Sequence, residues 1–354
     1  MSELAVKRPV NATPWTQKSA RNSRSVVVAC LLPLAFAFAI GSILSMPMAF
    51  TIVGIFLPLQ IISAIAAARF SGRRNSAADA VLSVVTYFLV ALFAILLGSL
   101  LTTLMFKGFQ SIKLNTLYQN NHYVSLATPL NYGGVGHAIV GTFIIVGISA
   151  LIAVPLGFAV AIYLTETRGR LRFLVRTVVQ SLSGLPSIVA GLFIYAIIIL
   201  PGYMPQVGFT GALALALLML PTVARTAEEV LKLVPADLRS ASVALGASRK
   251  AAFFQVIAPT AKSGLVTALL LGIARVIGET APLLLTTIPS QDTNLNPFSG
   301  PIATMPTYVY RYVTDPHDAL QHRAWSASFI MLTVVAIIFA LARIASTQRT
   351  KIKK

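Results

Sequence analysis

The chain has 354 residues, 56% of them hydrophobic and 11% charged, against about 25% charged in an ordinary soluble domain. That balance excludes a soluble globular enzyme, whose surface could not be covered, and the apolar residues fall in blocks near the roughly 20 needed to carry a helix across a bilayer. The formal net charge of +18 does not mark a nucleic-acid binder, because Lys and Arg are spread over short segments between apolar blocks instead of being gathered on one domain.

Residues 1–25 form a basic tail holding Lys7, Arg8, Lys18, Arg21 and Arg24. The apolar stretch that follows is full length and has no small-residue cleavage site, so it reads as a retained first span. Eight apolar blocks follow in order: Val26–Met46, Met48–Ala68, Ala80–Phe106, Gly136–Leu164, Val175–Leu200, Phe209–Ala224, Ser263–Ile288 and Trp325–Ile344. The expectation is an all-α polytopic membrane protein of about eight transmembrane helices. The first two blocks are separated by Pro47, which breaks a helix. With basic flanks on both sides, 26–68 forms an N-terminal transmembrane hairpin or a re-entrant pair. The main transmembrane domain covers 80–345, and 346–354 is a second tail.

Orientation follows from the basic residues. Arg69, Arg73 and Arg74 follow the second block, and Arg168, Arg170, Arg172 and Arg176 follow the fourth. Arg225, Lys232, Arg239, Arg249, Lys250 and Lys262 follow the sixth, and Arg343, Arg349, Lys351, Lys353 and Lys354 close the chain. The intervening connectors hold only Lys107, Lys113, Arg311 and Arg323. This asymmetry puts both termini in the cytoplasm. Cys30 lies within an apolar block and is the sole cysteine, so no intrachain disulfide forms. Two outer loops are long, Lys107–Val135 and Pro289–Ala324. Tyr308, Tyr310 and Tyr312 in the second read as membrane-interface anchors.

The cytoplasmic connector Arg225–Lys262 is longer than joining two spans requires. Asp237 is placed to cap a helix through Val243–Leu245, Gly246 permits a sharp turn, and Ser248 caps a second helix up to Ile257. Pro259 stops that helix before the next span. Leu238, Ala241, Leu245, Phe253, Phe254 and Val256 give this helical turn more apolar surface than a solvated loop needs. They dock a partner, or they lie on the membrane or the protein's own underside.

Within the seventh block, Arg275 sits about 12 residues in, or about 18 Å, near the middle of a hydrocarbon core about 30 Å thick. Glu279 is one turn along the same face and can pair with it. Intramembrane charges face a cavity or each other, so two readings stand: a structural ion pair, or a pathway arginine whose planar fork suits an oxyanion. Arg225, at the cytoplasmic end of the sixth block, is by position an ordinary positive-inside anchor. Pro155, Pro186 and Pro221 interrupt spans. No Gly-x-x-x-x-Gly-Lys-Ser/Thr loop occurs, so no ATP-phosphate cradle of that kind is present. His122, His137, His317 and His322 lack metal-ligand spacing, and no metal site or catalytic residue is expected.

The connector resembles the coupling loop of bacterial ABC importer permeases, whose pattern is Glu-Ala-Ala, three residues, Gly, nine residues, Ile-x-Leu-Pro. Here Ser240-Ala241-Ser242 stands at the triplet, Gly246 at the glycine and Val256-Ile257-Ala258-Pro259 at the end, with Ser240 replacing the acidic residue. Lys232-Leu233-Val234-Pro235, Pro186 to Phe193, Pro221 to Thr226 and the run Ile273 to Leu284 are similar to the A-type permeases of phosphate-specific ABC transporters. The resemblance covers Ala80 to the C-terminus and implies a six-span permease core with the hairpin added. It implies that Arg275, Glu279 and Arg225 line a substrate pathway. It also implies that Asp237, Leu238, Arg239, Ser240, Ala241, Ser242, Leu245, Gly246 and Pro259 couple the chain to an ATPase. The implied partners are a homologous permease subunit, two cytoplasmic ATPase subunits that use ATP and Mg, an external phosphate-binding protein and the bilayer of the bacterial inner membrane. The chain itself binds no cofactor. Sulfate or molybdate as cargo, and a proton-coupled secondary transporter, are the alternatives.

Overall fold

The computed structural model describes residues 23–70, 76–125, 128–130, 132–167 and 169–347. Every regular element among them is helical. Most of the two expected tails lies outside the described residues, as do Arg73, Arg74 and Arg168. The chain divides into two compact units, Met1–Leu101 and Thr102–Lys354.

In the first unit α1 (Ser23–Ile43) turns back through Leu44–Pro47 into α2 (Met48–Phe50). That helix passes through a π-helical turn, Thr51–Phe56, into α3 (Leu57–Phe70). Pro47 carries no N–H to continue α1, and its extended ψ of 138° starts the return helix. The Met46 N–H reaches the Gly41 carbonyl at 3.0 Å. A Cβ at Gly41 would lie 2.6 Å from the Thr51 side chain, so glycine allows the two arms to close. Met48–Ala66 is long and apolar enough to cross a membrane, and α1 is a helix of 21 residues. α4 (Ser76–Ser111) begins in this unit and ends in the second.

The second unit continues with α5 (Leu114–Tyr118), α6 (Gly136–Glu166), α7 (Leu171–Ser183) and α8 (Ser187–Ile194), which runs on as a π-helical turn, Tyr195–Ile199. Then come α9 (Gly208–Lys232), α10 (Ala236–Ala244), α11 (Arg249–Ala252), a π-helical turn Phe253–Ile257, α12 (Ala258–Val276), α13 (Ala281–Thr286), α14 (Met305–Tyr312) and α15 (Asp318–Thr347). Six helices among the described residues are long and apolar enough to cross a membrane, and the bent pair α7–α8 makes a seventh if counted as one span.

Packing against lipid offers no hydrophobic gain between helices, so small residues and close approach hold the bundle. α6 and α9 are its centre, joined through Ile145, Val146, Ala153, Ala212, Leu215, Met219 and Val223. The buried Ser149 hydroxyl donates to Ile145 at 2.7 Å on its own helix and lies 3.0 Å from the Ala212 carbonyl on α9. α12 closes on α9 where glycines admit it: a Cβ at Gly264 would sit 2.4 Å from Val230, and one at Gly272 2.5 Å from Val223.

Four expected boundaries move. Val175–Leu200 is not one straight helix, because α7 and the Ser187–Ile199 segment are bent by 108°; Pro186 cannot donate a hydrogen bond and opens the new helix with ψ of 139°. Pro155 and Pro221, in contrast, lie within continuous helices. The sixth block does not end at Ala224, since α9 runs to Lys232 and buries Ala227, Glu228 and Leu231. Pro259 does not stop a helix: Arg249–Val276 is continuous over 28 residues. The preceding turn is widened to π geometry, with the Ala258 N–H reaching back to Phe253, and this absorbs the proline at the start of α12. Ser263–Ile288 is likewise broken, α12 ending at Val276 and α13 starting at Ala281.

Candidate functional site

The break between α12 and α13 positions the two intramembrane charges. The Glu279 N–H donates to the Val276 carbonyl at 3.1 Å, which curls the chain out of the helix, and Pro282 has no N–H with which to rejoin it. Arg275 is therefore in the last turn of α12, where the carbonyl end of the helix favours a cation. Its guanidinium donates to the Glu279 carboxylate. The two halves of the pair are unequally covered: the Arg275 side chain is 48% exposed and that of Glu279 14%. The arginine thus keeps donors accessible while the carboxylate orients it.

Neighbouring elements hold the break open. Gly191 of α8 lies so close that a Cβ there would be 2.6 Å from Pro282 Cα and 2.9 Å from its carbonyl oxygen. The carbonyls left unpaired as α13 ends are met from α9 and its approach, by Gln206 on Leu285 at 2.8 Å and Thr210 on Thr286 at 2.9 Å. Gly191 belongs to the run Pro186 to Phe193 but has no role assigned from sequence, and nothing there marks Gln206 or Thr210, whose signal exists only across elements.

Arg225 lies on the adjacent helix. α9 and α12 run antiparallel, with Gly272 level with Met219 and Val223, so the 1.5 Å rise separates the Arg225 and Arg275 levels by about 10 Å. Arg225 lines a cavity of about 160 Å³ with Leu164, Arg176, Val179, Gln180, Glu228, Glu229 and Lys232. Glu228, 8% exposed, accepts from Arg176 of α7 at 2.6 Å and pairs with Lys232, one turn on, at 2.7 Å. Two of the three cations around the cavity are thereby engaged; Arg225 makes no ion pair within 4.0 Å among the described residues, although Glu229, one turn on, lines the same cavity. The helix that carries Arg225 continues two turns beyond it, to Lys232. The Glu228–Lys232 spacing was readable as an i,i+4 pair, but its third member, from α7, was not. Glu228→Gln removes the charge that ties α7 to α9. The expected cost is about 1–2 kcal/mol, modest because both cations are half exposed. Thermal unfolding of the variant with Arg176→Gln, which should add little further loss, checks the coupling.

The connector folds as a helix, turn and helix beside these charges. Gly246 adopts φ of +87°, a left-handed conformation that a side chain strains. Ser248 caps α11, its hydroxyl accepting from Ala251 N–H at 3.2 Å. Asp237 is not the cap of α10: Pro235 holds that position, and Asp237 falls in the first turn, where its charge still complements the helix dipole. The outward face carries Leu233 (82% exposed), Leu238, Val243 and Leu245 (90%), with Ala241 and Ser240. Phe253 is instead buried with Leu231, Val234 and Ile257, and Ser242 is buried too. Arg239 turns back, donating to the Glu166 carboxylate of α6 and to the Leu231 carbonyl at 2.7 Å. Arg239 therefore fastens the turn to the bundle, while the Ser242 hydroxyl donates within its own helix to the Arg239 carbonyl at 2.8 Å; Leu238, Ala241 and Leu245 are the residues the turn presents.

At the opposite end, Tyr308 is not an interface anchor but part of a buried cluster with Val135, Ala138, Met305 and Ile330. Burial pushes its hydroxyl above the ordinary phenol value, with the Asn121 amide, at 2.8 Å, acting the other way. Tyr312 packs against it and Tyr310 is exposed. His122 bonds Asp292 at 2.6 Å, tying the two long loops. His137 is buried against the Tyr308 ring, His317 bonds Asp315 and His322 bonds Ser111. Among the described residues no group of three or more His, Cys, Asp or Glu side chains is arranged to hold a metal.

Residues 153–350 match the family described as binding-protein-dependent transport system inner membrane component. The chain is 43% identical over 224 residues to the phosphate transport system permease protein PstA 1 of Mycobacterium tuberculosis, covering 62% of this chain and 73% of that one. It is 38% identical over 269 residues to PstA of Mycobacterium leprae, covering 75% and 87%. With PstA of Haemophilus influenzae the identity is 37% over 245 residues, covering 67% and 83%.

Proposed function

Because this chain belongs to the binding-protein-dependent inner-membrane permease family, and within it to the PstA phosphate-transport permeases, we propose that it conducts inorganic phosphate past Arg275 under the drive of a partner ATPase. The chain is a multi-pass inner-membrane permease, a transport component and not a catalyst of bond chemistry. Its relationship to the phosphate permeases carries the substrate assignment, and residues 153–350, which match the family, contain both the connector and the broken helix.

In this reading the chain forms half of a translocation pathway and a homologous permease forms the other half. Both termini are cytoplasmic. Phosphate arrives from an external binding protein at the end that holds the long loops. The exposed guanidinium of Arg275 offers its planar fork to the anion, as two parallel charge-assisted hydrogen bonds. Glu279 holds that fork in place and keeps an unpaired cation from trapping the anion. Arg225, about 10 Å nearer the connector along α9, is a second cation on the way in. Two ATPase subunits, using ATP and Mg, dock one on each permease against Leu238, Ala241 and Leu245. ATP binding draws the coupling turns together and opens the path outward, and hydrolysis resets it.

The reading is tested by uptake of labelled phosphate at low external concentration, with sulfate as control, in cells carrying the native chain, Leu245→Glu or Gly246→Pro at matched membrane levels. Leu245 is 90% exposed, so the glutamate does not disturb folding. Both variants are expected to lose at least about nine-tenths of phosphate uptake, as a barrier increase of about 1.4 kcal/mol or more implies. Unchanged uptake in both overturns the ATPase coupling. Chain-dependent uptake of sulfate in place of phosphate overturns the cargo.

A further inference from the structure

α7 and its approach carry Arg170, Arg172 and Arg176 and no acidic residue between Gly169 and Pro186. At 100° per residue, Leu171, Leu174, Val175, Val178 and Leu182 share one face of the helix. The chain itself leaves much of that face uncovered. Leu171 is 63% exposed, Leu174 57% and Val178 49%, while Val179, at the edge of the stripe, is the one α7 residue fully buried. Phe173, also exposed, lies on the other side. The helix is turned 108° from the apolar segment Ser187–Ile199. If that segment enters the bilayer, α7 lies across it and nearly flat. Arg176 is engaged by Glu228. Arg170 is exposed; Arg172 is partly covered, its Nε buried without a hydrogen-bond partner, and among the described residues neither arginine pairs with an acid.

We propose that α7 is a bilayer-surface helix whose apolar stripe enters the acyl boundary and whose Arg170 and Arg172 bind the headgroups of anionic phospholipids. Short basic helices with one apolar face sit at this depth, drawn by buried apolar area and by attraction to anionic lipid together. Charge complementarity favours lipid as the occupant: the only charges that border the stripe are the cations Arg170 and Arg172, and Ile188, Val189 and Leu192 on the next helix are exposed as well. The consequence reaches the transport elements, because Arg176 links α7 to Glu228 on the helix that carries Arg225. A lipid that seats α7 therefore also sets the position of α9. None of this depends on which anion is carried.

The test uses the assembled transporter in vesicles of phosphatidylcholine, with or without phosphatidylglycerol. In the first arm Leu174→Trp reports depth, its fluorescence taken as the difference from the native complex. Lipids brominated near the headgroup end of the chain should quench the added tryptophan more strongly than lipids brominated at the tail. In the second arm, phosphatidylglycerol should raise the rate of ATP-driven uptake in the native complex, and Arg170→Gln/Arg172→Gln should remove at least half of that stimulation while leaving the rate in phosphatidylcholine unchanged. Absence of quenching would mean that a protein surface covers the stripe, and stronger quenching from the tail would mean that α7 is part of a span; either overturns the proposal. So does a double variant that responds to phosphatidylglycerol as the native chain does.

Discussion

Arg275→Gln is expected to lower phosphate uptake about a hundredfold, with the chain still at its normal level in the membrane. A hundredfold corresponds to about 2.7 kcal/mol lost at the barrier, within reach of one charge-assisted, bidentate contact in a poorly hydrated path. A purely structural ion pair is the rival reading. Within this chain Glu279 is largely covered and Arg275 is half exposed. The double variant Arg275→Gln/Glu279→Gln separates the two readings. A lock that fails because one buried charge is stranded is repaired when both charges are removed. A pathway cation is not, so uptake stays low. Arg275→Lys keeps the charge and loses the fork, and should fall between native and Gln. Recovery of uptake in the double variant sinks the pathway role.

The second large effect is expected at Gly191. An alanine Cβ there would meet Pro282 backbone atoms at 2.6 and 2.9 Å, and backbone cannot rotate out of the way as a side chain can. α8 must then move off α13, at a cost of about 1–3 kcal/mol. The displacement falls on the segment that aims Arg275, so uptake should drop more than stability alone accounts for. Gly147→Ala on α6 is the control, since a Cβ there meets nothing within 4 Å. Thermal unfolding of the purified variants should show a clear loss for Gly191→Ala and native behaviour for Gly147→Ala. Equal unfolding of the two refutes the close-approach account.

What was legible in the sequence was what depends on composition and on neighbours a few residues away. The apolar blocks announced the spans, Pro47 the hairpin turn, Gly246 and Ser248 the geometry of the connector, and the spacing of Arg275 and Glu279 their pairing. Direction and continuity were harder to read. A hydropathy window over Val175–Leu200 registers apolar content on both sides of Pro186 and cannot see a bend of 108°. Pro259 was expected to end a helix because the cost of proline is local, yet one widened turn upstream absorbs it. α9 outruns its apolar block because Glu228 finds a cation on α7, a partner 52 residues away. Gln206 and Thr210, which satisfy the end of α13, were invisible for the same reason.

The uninterrupted run from Arg249 to Val276 makes the connector and the intramembrane arginine two ends of one strut. Its 28 residues measure about 42 Å at 1.5 Å each. A tilt of about 10° about the Ser248 end would sweep Arg275 sideways by about 7 Å, more than the width of a phosphate ion, using the same rise. Leverage alone then brings a small movement at the membrane surface to the middle of the bilayer, with no relay of side chains in between.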